Sequence, residues 1–117
     1  MLQLKQYDIW VADLNPSIGA EPGKVRPVVI IQSDVLHKAG HSSTIACVIS
    51  SQPREGISLL RLPVQPTTAN GLKKTSYILC DQLRAIDLLR LKEHIGRLDE
   101  DVIEKLNKSV KLILDLY

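Results

Sequence analysis

The sequence predicts a small, mainly β fold, a curled sheet or barrel with one α-helix covering an opening. Apolar residues come in short strand-length blocks separated by turn residues. From Asp99 onward the period changes. Val102, Ile103, Leu106, Val110, Ile113, Leu114 and Tyr117 fall at helical spacing. The length, 117 residues, suits one domain (1–117) with a single hydrophobic core.

The first strand is Tyr7 to Leu14 (YDIWVADL), which is β-rich and partly alternating. Asn15-Pro16 breaks it and opens a loop, Asn15 to Pro27, that holds three prolines and two glycines. This loop concentrates charge (Glu21, Lys24, Arg26) at the mouth of the apolar run Val28 to Ile31. A functional site is readily built there, where a loop meets a rigid strand. The second strand is Arg26 to Gln32. Pro27 fits only at its start or on an edge, because proline cannot donate to a ladder. The run VVII implies burial on both faces.

Ser33 to Ser43 is a connector with one short helical turn, capped by Ser33 or Asp34 and ended by Gly40. Thr44 to Ser51 is a third, buried strand, and Ile57 to Pro63 a fourth. Gln65 to Lys74 is a polar loop with an Asn70-Gly71 turn signal. Ser76 to Asp81 is a fifth strand. Arg84 to Asp87 and Lys92 to Leu98 read as short strands or bends, with Gly96 marking a bulge or tight bend. A helix spans about 100 to 116, with Asp99 as its N-cap and Glu100 and Asp101 favoured in its first turn by the helix dipole.

Composition narrows the function classes. The net charge is only +2, with the basic surplus in residues 61–117. That is too mild to argue nucleic-acid binding by itself. There is no phenylalanine, and the aromatic residues are Trp10, Tyr7, Tyr77 and Tyr117, so an aromatic stacking sheet is not expected. No apolar run reaches the roughly 18 to 20 residues of a membrane span, and the N-terminus does not read as a signal peptide. A cytoplasmic protein without membrane contact is expected. Cys47 and Cys80 lie in apolar runs and lack metal-ligand spacing; they read as buried, reduced thiols. No metal or cofactor is expected.

Three segments, YDIWVADLNPSIGAEPGKVRPVVIIQSD, IACVISSQ and GLKKTSYILCDQLRAID, resemble the MazF/PemK family of mRNA interferase toxins from type II toxin–antitoxin pairs. The family pattern runs from a strand ending D-L-N-P, through a G-x-E loop and an R-P opening the second strand, to a D-Q-x-R-x-I-D segment. The match is in order and covers nearly the whole chain. It implies an SH3-like β-barrel of the CcdB/MazF kind with a C-terminal helix. It implies a homodimer that cuts single-stranded RNA at specific sequences without a metal, inhibited by a cognate MazE-like antitoxin. The RNA's own 2′-OH would attack, giving 2′,3′-cyclic phosphate and 5′-OH ends.

By that resemblance Arg26 is the loop arginine, and its planar fork of donors suits a phosphate gaining charge. Ser50 stands where the family usually has threonine, keeping the hydroxyl but losing the methyl that restrains it. Ser51 is the alternative, since side chains alternate along a strand. Glu21 matches the loop acid that positions the arginine or activates the 2′-OH. Asp81 is a secondary candidate for base chemistry; the branch that uses this acid also has an arginine where this chain has Leu79. Gln82 and Arg84 tie the barrel together or line the groove. Lys24, Lys73 and Lys74 are candidate phosphate contacts. His37, His41 and His94 fall outside the family's site positions and read as surface or packing residues. A CcdB-type gyrase poison on the same fold, or a degenerate inactive member, is the alternative; the R-P and D-Q-x-R-x-I-D segments favour the ribonuclease.

Overall fold

The computed structural model describes residues 3–16, 19, 24–52 and 60–116. Glu21 and the expected start of the fourth strand, 57–59, lie outside the described residues. In chain order the elements are β1 (Asp8–Asp13), β2 (Val25–Ile30), α1 (Asp34–Lys38), β3 (Ser43–Ser50), β4 (Arg61–Val64), β5 (Ser76–Asp87), a 3-10 turn (Leu88–Arg90), β6 (Leu91–Arg97) and α2 (Glu100–Ile113). The strands form one six-stranded sheet in the order β4-β5-β3-β2-β1-β6, and every pairing is antiparallel.

The mainly β fold with a C-terminal helix is as expected, but the sheet is open rather than a closed barrel. Its end strands, β4 and β6, do not pair. The loop between β4 and β5 laps across the gap instead. Ala69 O accepts from the Arg97 backbone N–H at 2.9 Å. This approach explains two glycines. A Cβ on Gly71, which has φ +69°, would stand 2.0 Å from Ile95 O, and one on Gly96 would stand 2.5 Å from Ala69 O. Only residues without a side chain let the two backbones meet.

Asn70 locks the loop in place. It is fully buried, and its Oδ1 accepts from the N–H groups of Thr67 (3.1 Å) and Leu72 (3.0 Å). Its Nδ2 donates to Gln65 O (2.8 Å) and Asp99 Oδ2 (3.0 Å). Asp99 occupies the N-cap position of α2, yet its side chain makes no capping bond. The carboxylate is turned to Asn70 and to the Thr67 hydroxyl, so the expected cap is a tie between helix and loop.

The burial of VVII on both faces is borne out for its first three residues. Val29 joins the core beneath α2, with Ile9, Cys47, Ile49, Ile78 and Leu106. Val28 and Ile30 join a second core on the opposite face, with Trp10, Val48, Leu79 and Ile86. Pro27 sits in a strand paired on both sides, but at a position opposite Val11 of β1, ahead of the β2–β3 ladder. The expected fifth strand and the following short segment are one long strand, β5, whose register against β3 breaks between Cys47 and Ile49. Cys47 and Cys80 are free and buried. Burial raises both thiols, Cys80 to about 11, which holds them as inert apolar groups at neutral pH.

Candidate active site

The ends of β1, β3 and β4 and the starts of β2, β5 and β6 lie at one edge of the sheet. The base of the β1–β2 loop is pinned there. Leu14 N–H donates to Lys24 O (2.8 Å), and Lys24 N–H to Asn15 Oδ1 (2.9 Å). Arg90 Nη1 reaches Asp13 O (3.1 Å) and Asn15 O (2.7 Å). This framework fixes the point from which Arg26 projects.

Arg26 Nη1 donates to Ser50 Oγ at 3.2 Å, so the structure brings together two of the residues picked from the sequence. Ser50 Oγ also accepts from the Gln52 N–H at 3.2 Å, which leaves its own proton to be donated elsewhere. Ser50 is buried, 1% exposed. Its hydroxyl is therefore placed to hold the guanidinium. The register extends this row to Tyr77, the cross-strand partner of Ser50 and a half-buried ring. Sequence reasoning passed over Tyr77, because nothing in the chain's order links it to Ser50.

Beside this row lies a groove of 540 Å³. Its floor is apolar: Val11, Pro27, Ile49, Leu72 and Ile95. Lys24, Arg26, Lys73 and Lys74 are its cationic lining residues, with Ser51, Gln52 and Ser76 among the polar ones. Ser51, not Ser50, lines the groove. One acid, Glu93 of β6, stands among these groups; the pairing of Val11 with both Pro27 and Glu93 places it directly across the floor. Sequence reasoning missed Glu93 because it lies in a segment read only as a strand or bend.

The remaining candidates lie elsewhere. Asp81 forms an ion pair with Arg61 on neighbouring β4 and does not line the groove. Nor do Gln82 and Arg84 line it; Arg84 borders a separate apolar recess with Ile45, Val110 and Leu114. The histidines are surface or packing residues, as expected. His37 bridges Asp34 Oδ1 (3.2 Å) and the buried Thr44 hydroxyl (3.0 Å). His94 lies beside Trp10, ring centroids 5.4 Å apart. His41 is exposed. Asp34 is held below the usual carboxylate range, chiefly by the Gln6 N–H.

Comparison with known proteins adds a second line of support. The family model described as "PemK-like, MazF-like toxin of type II toxin-antitoxin system" matches residues 5–114. The chain belongs to this toxin family. The endoribonuclease EndoA of Bacillus subtilis is 31% identical over 116 residues, covering 97% of this chain and 96% of that one. The Mycobacterium tuberculosis toxin MazF-mt6 superimposes with a TM-score of 0.74 at 25% identity, covering 94% of this chain and 98% of that one. A mycobacterial endoribonuclease solved with its cognate antitoxin shares the fold, with a TM-score of 0.77 at 15% identity and 97% of each chain covered.

Proposed function

We propose that this chain is a sequence-specific endoribonuclease toxin that cuts single-stranded RNA, messenger RNA included, and is neutralised by a cognate MazE-like antitoxin. It acts as a homodimer in the cytoplasm. The observation that carries the reading is the Arg26–Ser50 contact at the rim of a cationic groove, in a chain of this toxin family. The EndoA relative, named an endoribonuclease, supports the same activity.

The chemistry assigned to the site needs no metal. The RNA's 2′-OH attacks the adjacent phosphorus, the P–O5′ bond breaks, and the products carry 2′,3′-cyclic phosphate and 5′-OH ends. Charge builds on the phosphate oxygens as phosphorus becomes five-coordinate. A fixed guanidinium stabilises that charge without reorganising. Arg26 fills this role, and Ser50 holds it at the required angle. A guanidinium offers donors and no acceptor, so Arg26 is not the base. Glu21 is assigned the positioning of Arg26 or activation of the 2′-OH. Lys24, Lys73 and Lys74 hold flanking phosphates, and Ser51 offers a hydroxyl to the bound strand. Asp81, paired with Arg61, is assigned to the sheet edge rather than to catalysis.

The test is incubation of purified protein with a long single-stranded transcript in excess chelator, followed by mapping of product ends. Discrete cuts carrying 5′-OH ends are expected. RNA left intact at high protein concentration overturns the reading.

A further inference from the structure

We infer that Glu93 is a specificity determinant that reads the Watson–Crick edge of a guanine in the bound RNA. The inference rests on the ribonuclease reading and names part of the sequence that the enzyme selects. Glu93 is exposed, and its carboxylate makes no hydrogen bond or ion pair among the described residues. It nevertheless lines the same groove as Lys24, Arg26, Lys73 and Lys74. A carboxylate in a groove built for phosphates repels the ligand's backbone. Its placement favours RNA binding only if it meets a part of the ligand that donates hydrogen bonds, and in RNA the base edges do so.

The floor supplies the rest of the pocket. Val11 and Pro27 stand in one row with Glu93, and Ile95 is two residues further along the same strand. An unstacked base lying on this apolar floor points its edge at Glu93 while its phosphates face the lysines. A carboxylate has two acceptor oxygens and no donor. Guanine alone presents two adjacent donors, N1–H and the N2 amino group, which match both oxygens. Adenine and cytosine place an acceptor nitrogen beside their amino group, and uracil flanks its single N–H with two carbonyls. Each of these sets an acceptor against a carboxylate oxygen.

The experiment maps cleavage sites on a long transcript for wild type, Glu93→Gln and Glu93→Ala, and compares guanine with inosine at the selected position. Inosine keeps N1–H and lacks the N2 amino group. Wild type is expected to require guanine at one fixed position relative to the cut, and to lose about tenfold in kcat/KM on inosine. The Glu93 variants are expected to cut at a wider set of sites and to treat guanine and inosine alike. A wild type that does not cleave overturns the ribonuclease reading and this inference together. A wild type that cleaves, with site preferences unchanged in both variants, overturns the inference alone. A melting temperature in the variants equal to wild type separates lost specificity from lost fold.

Discussion

The molecule holds two polar clusters close to the same groove, and they are built on opposite plans. At the clasp, Asn70 is fully buried and each of its amide hydrogens and both its oxygen lone pairs has a partner within the chain. At the candidate site, the Ser50 hydroxyl accepts two bonds and keeps a proton to donate, while the Glu93 carboxylate has no partner among the described residues. A saturated buried network fixes shape, because any loss leaves a group unpaired in a low-dielectric interior. A cluster with unused capacity at a groove keeps donors and acceptors that a ligand could meet. The contrast separates residues that hold the groove from residues that use it, and mutation can break it.

The largest effect is expected at Arg26. Replacing it with alanine removes the proposed transition-state charge stabiliser, and cleavage should fall about 100- to 1,000-fold, on the order of 3–4 kcal/mol. Thermal stability should change little, because the side chain lies at the rim. Single-turnover cleavage paired with thermal melting checks both halves. A variant that melts far below wild type would move Arg26 from the using class to the holding class.

Asn70→Ala should do the reverse. It strips four hydrogen bonds from a buried site and leaves the Asp99 carboxylate without its amide donor. A loss of about 3 kcal/mol is expected, which lowers the melting temperature by on the order of 10 °C. Chemical denaturation measures it. Cleavage by the fraction still folded should stay near wild type. Full stability in this variant would show that the loop needs no clasp to bridge the open sheet.

The two clusters also differ in how far they were legible in the sequence. Strands and helix could be read because period survives local context, as in VVII and in the 102–113 apolar stripe. The long β5 could not. Its register breaks around Asp81-Gln82, and polar residues there interrupt the apolar pattern although the backbone stays extended. Asp99 looked like a helix cap because its partners, Thr67 and Asn70, are remote in sequence, and no local rule sees a tie at that range. Arg26 and Ser50 could be named through a resemblance of pattern. Which serine faces the groove depended on strand register, and Glu93 depended on a pairing across the sheet. Open capacity is a property of assembled neighbours, so it cannot be read from residue types alone.

Ser50→Ala tests the middle of the range. Its loss frees Arg26 from one bond without removing the charge. Cleavage should fall about tenfold, near 1.4 kcal/mol, as expected for losing one hydrogen bond to a charged group. Ser50→Thr should keep the hydroxyl and restrain its rotamer, so activity at or above wild type is expected. Activity unchanged in Ser50→Ala would detach the serine from Arg26's function, and loss in both variants would point to packing.

The smallest effect is expected from Lys73 and Lys74, which are exposed at the groove wall. A lysine at a phosphate acts largely by releasing counterions, so its contribution depends on salt rather than on sequence. Changing both to glutamine should weaken RNA binding by a similar factor at every site. It should also reduce the slope of log affinity against log salt by about 0.7 for each phosphate no longer neutralised. Binding titrations at several salt concentrations read both quantities, with the Glu93 variants run alongside. If the groove divides labour as its charges indicate, the lysine variants change the slope and keep the cleavage sequence, whereas the Glu93 variants change the sequence. A lysine variant that altered the sequence cut would make these residues base readers, and the distinction between holding the RNA and choosing it would have to be drawn elsewhere in the groove.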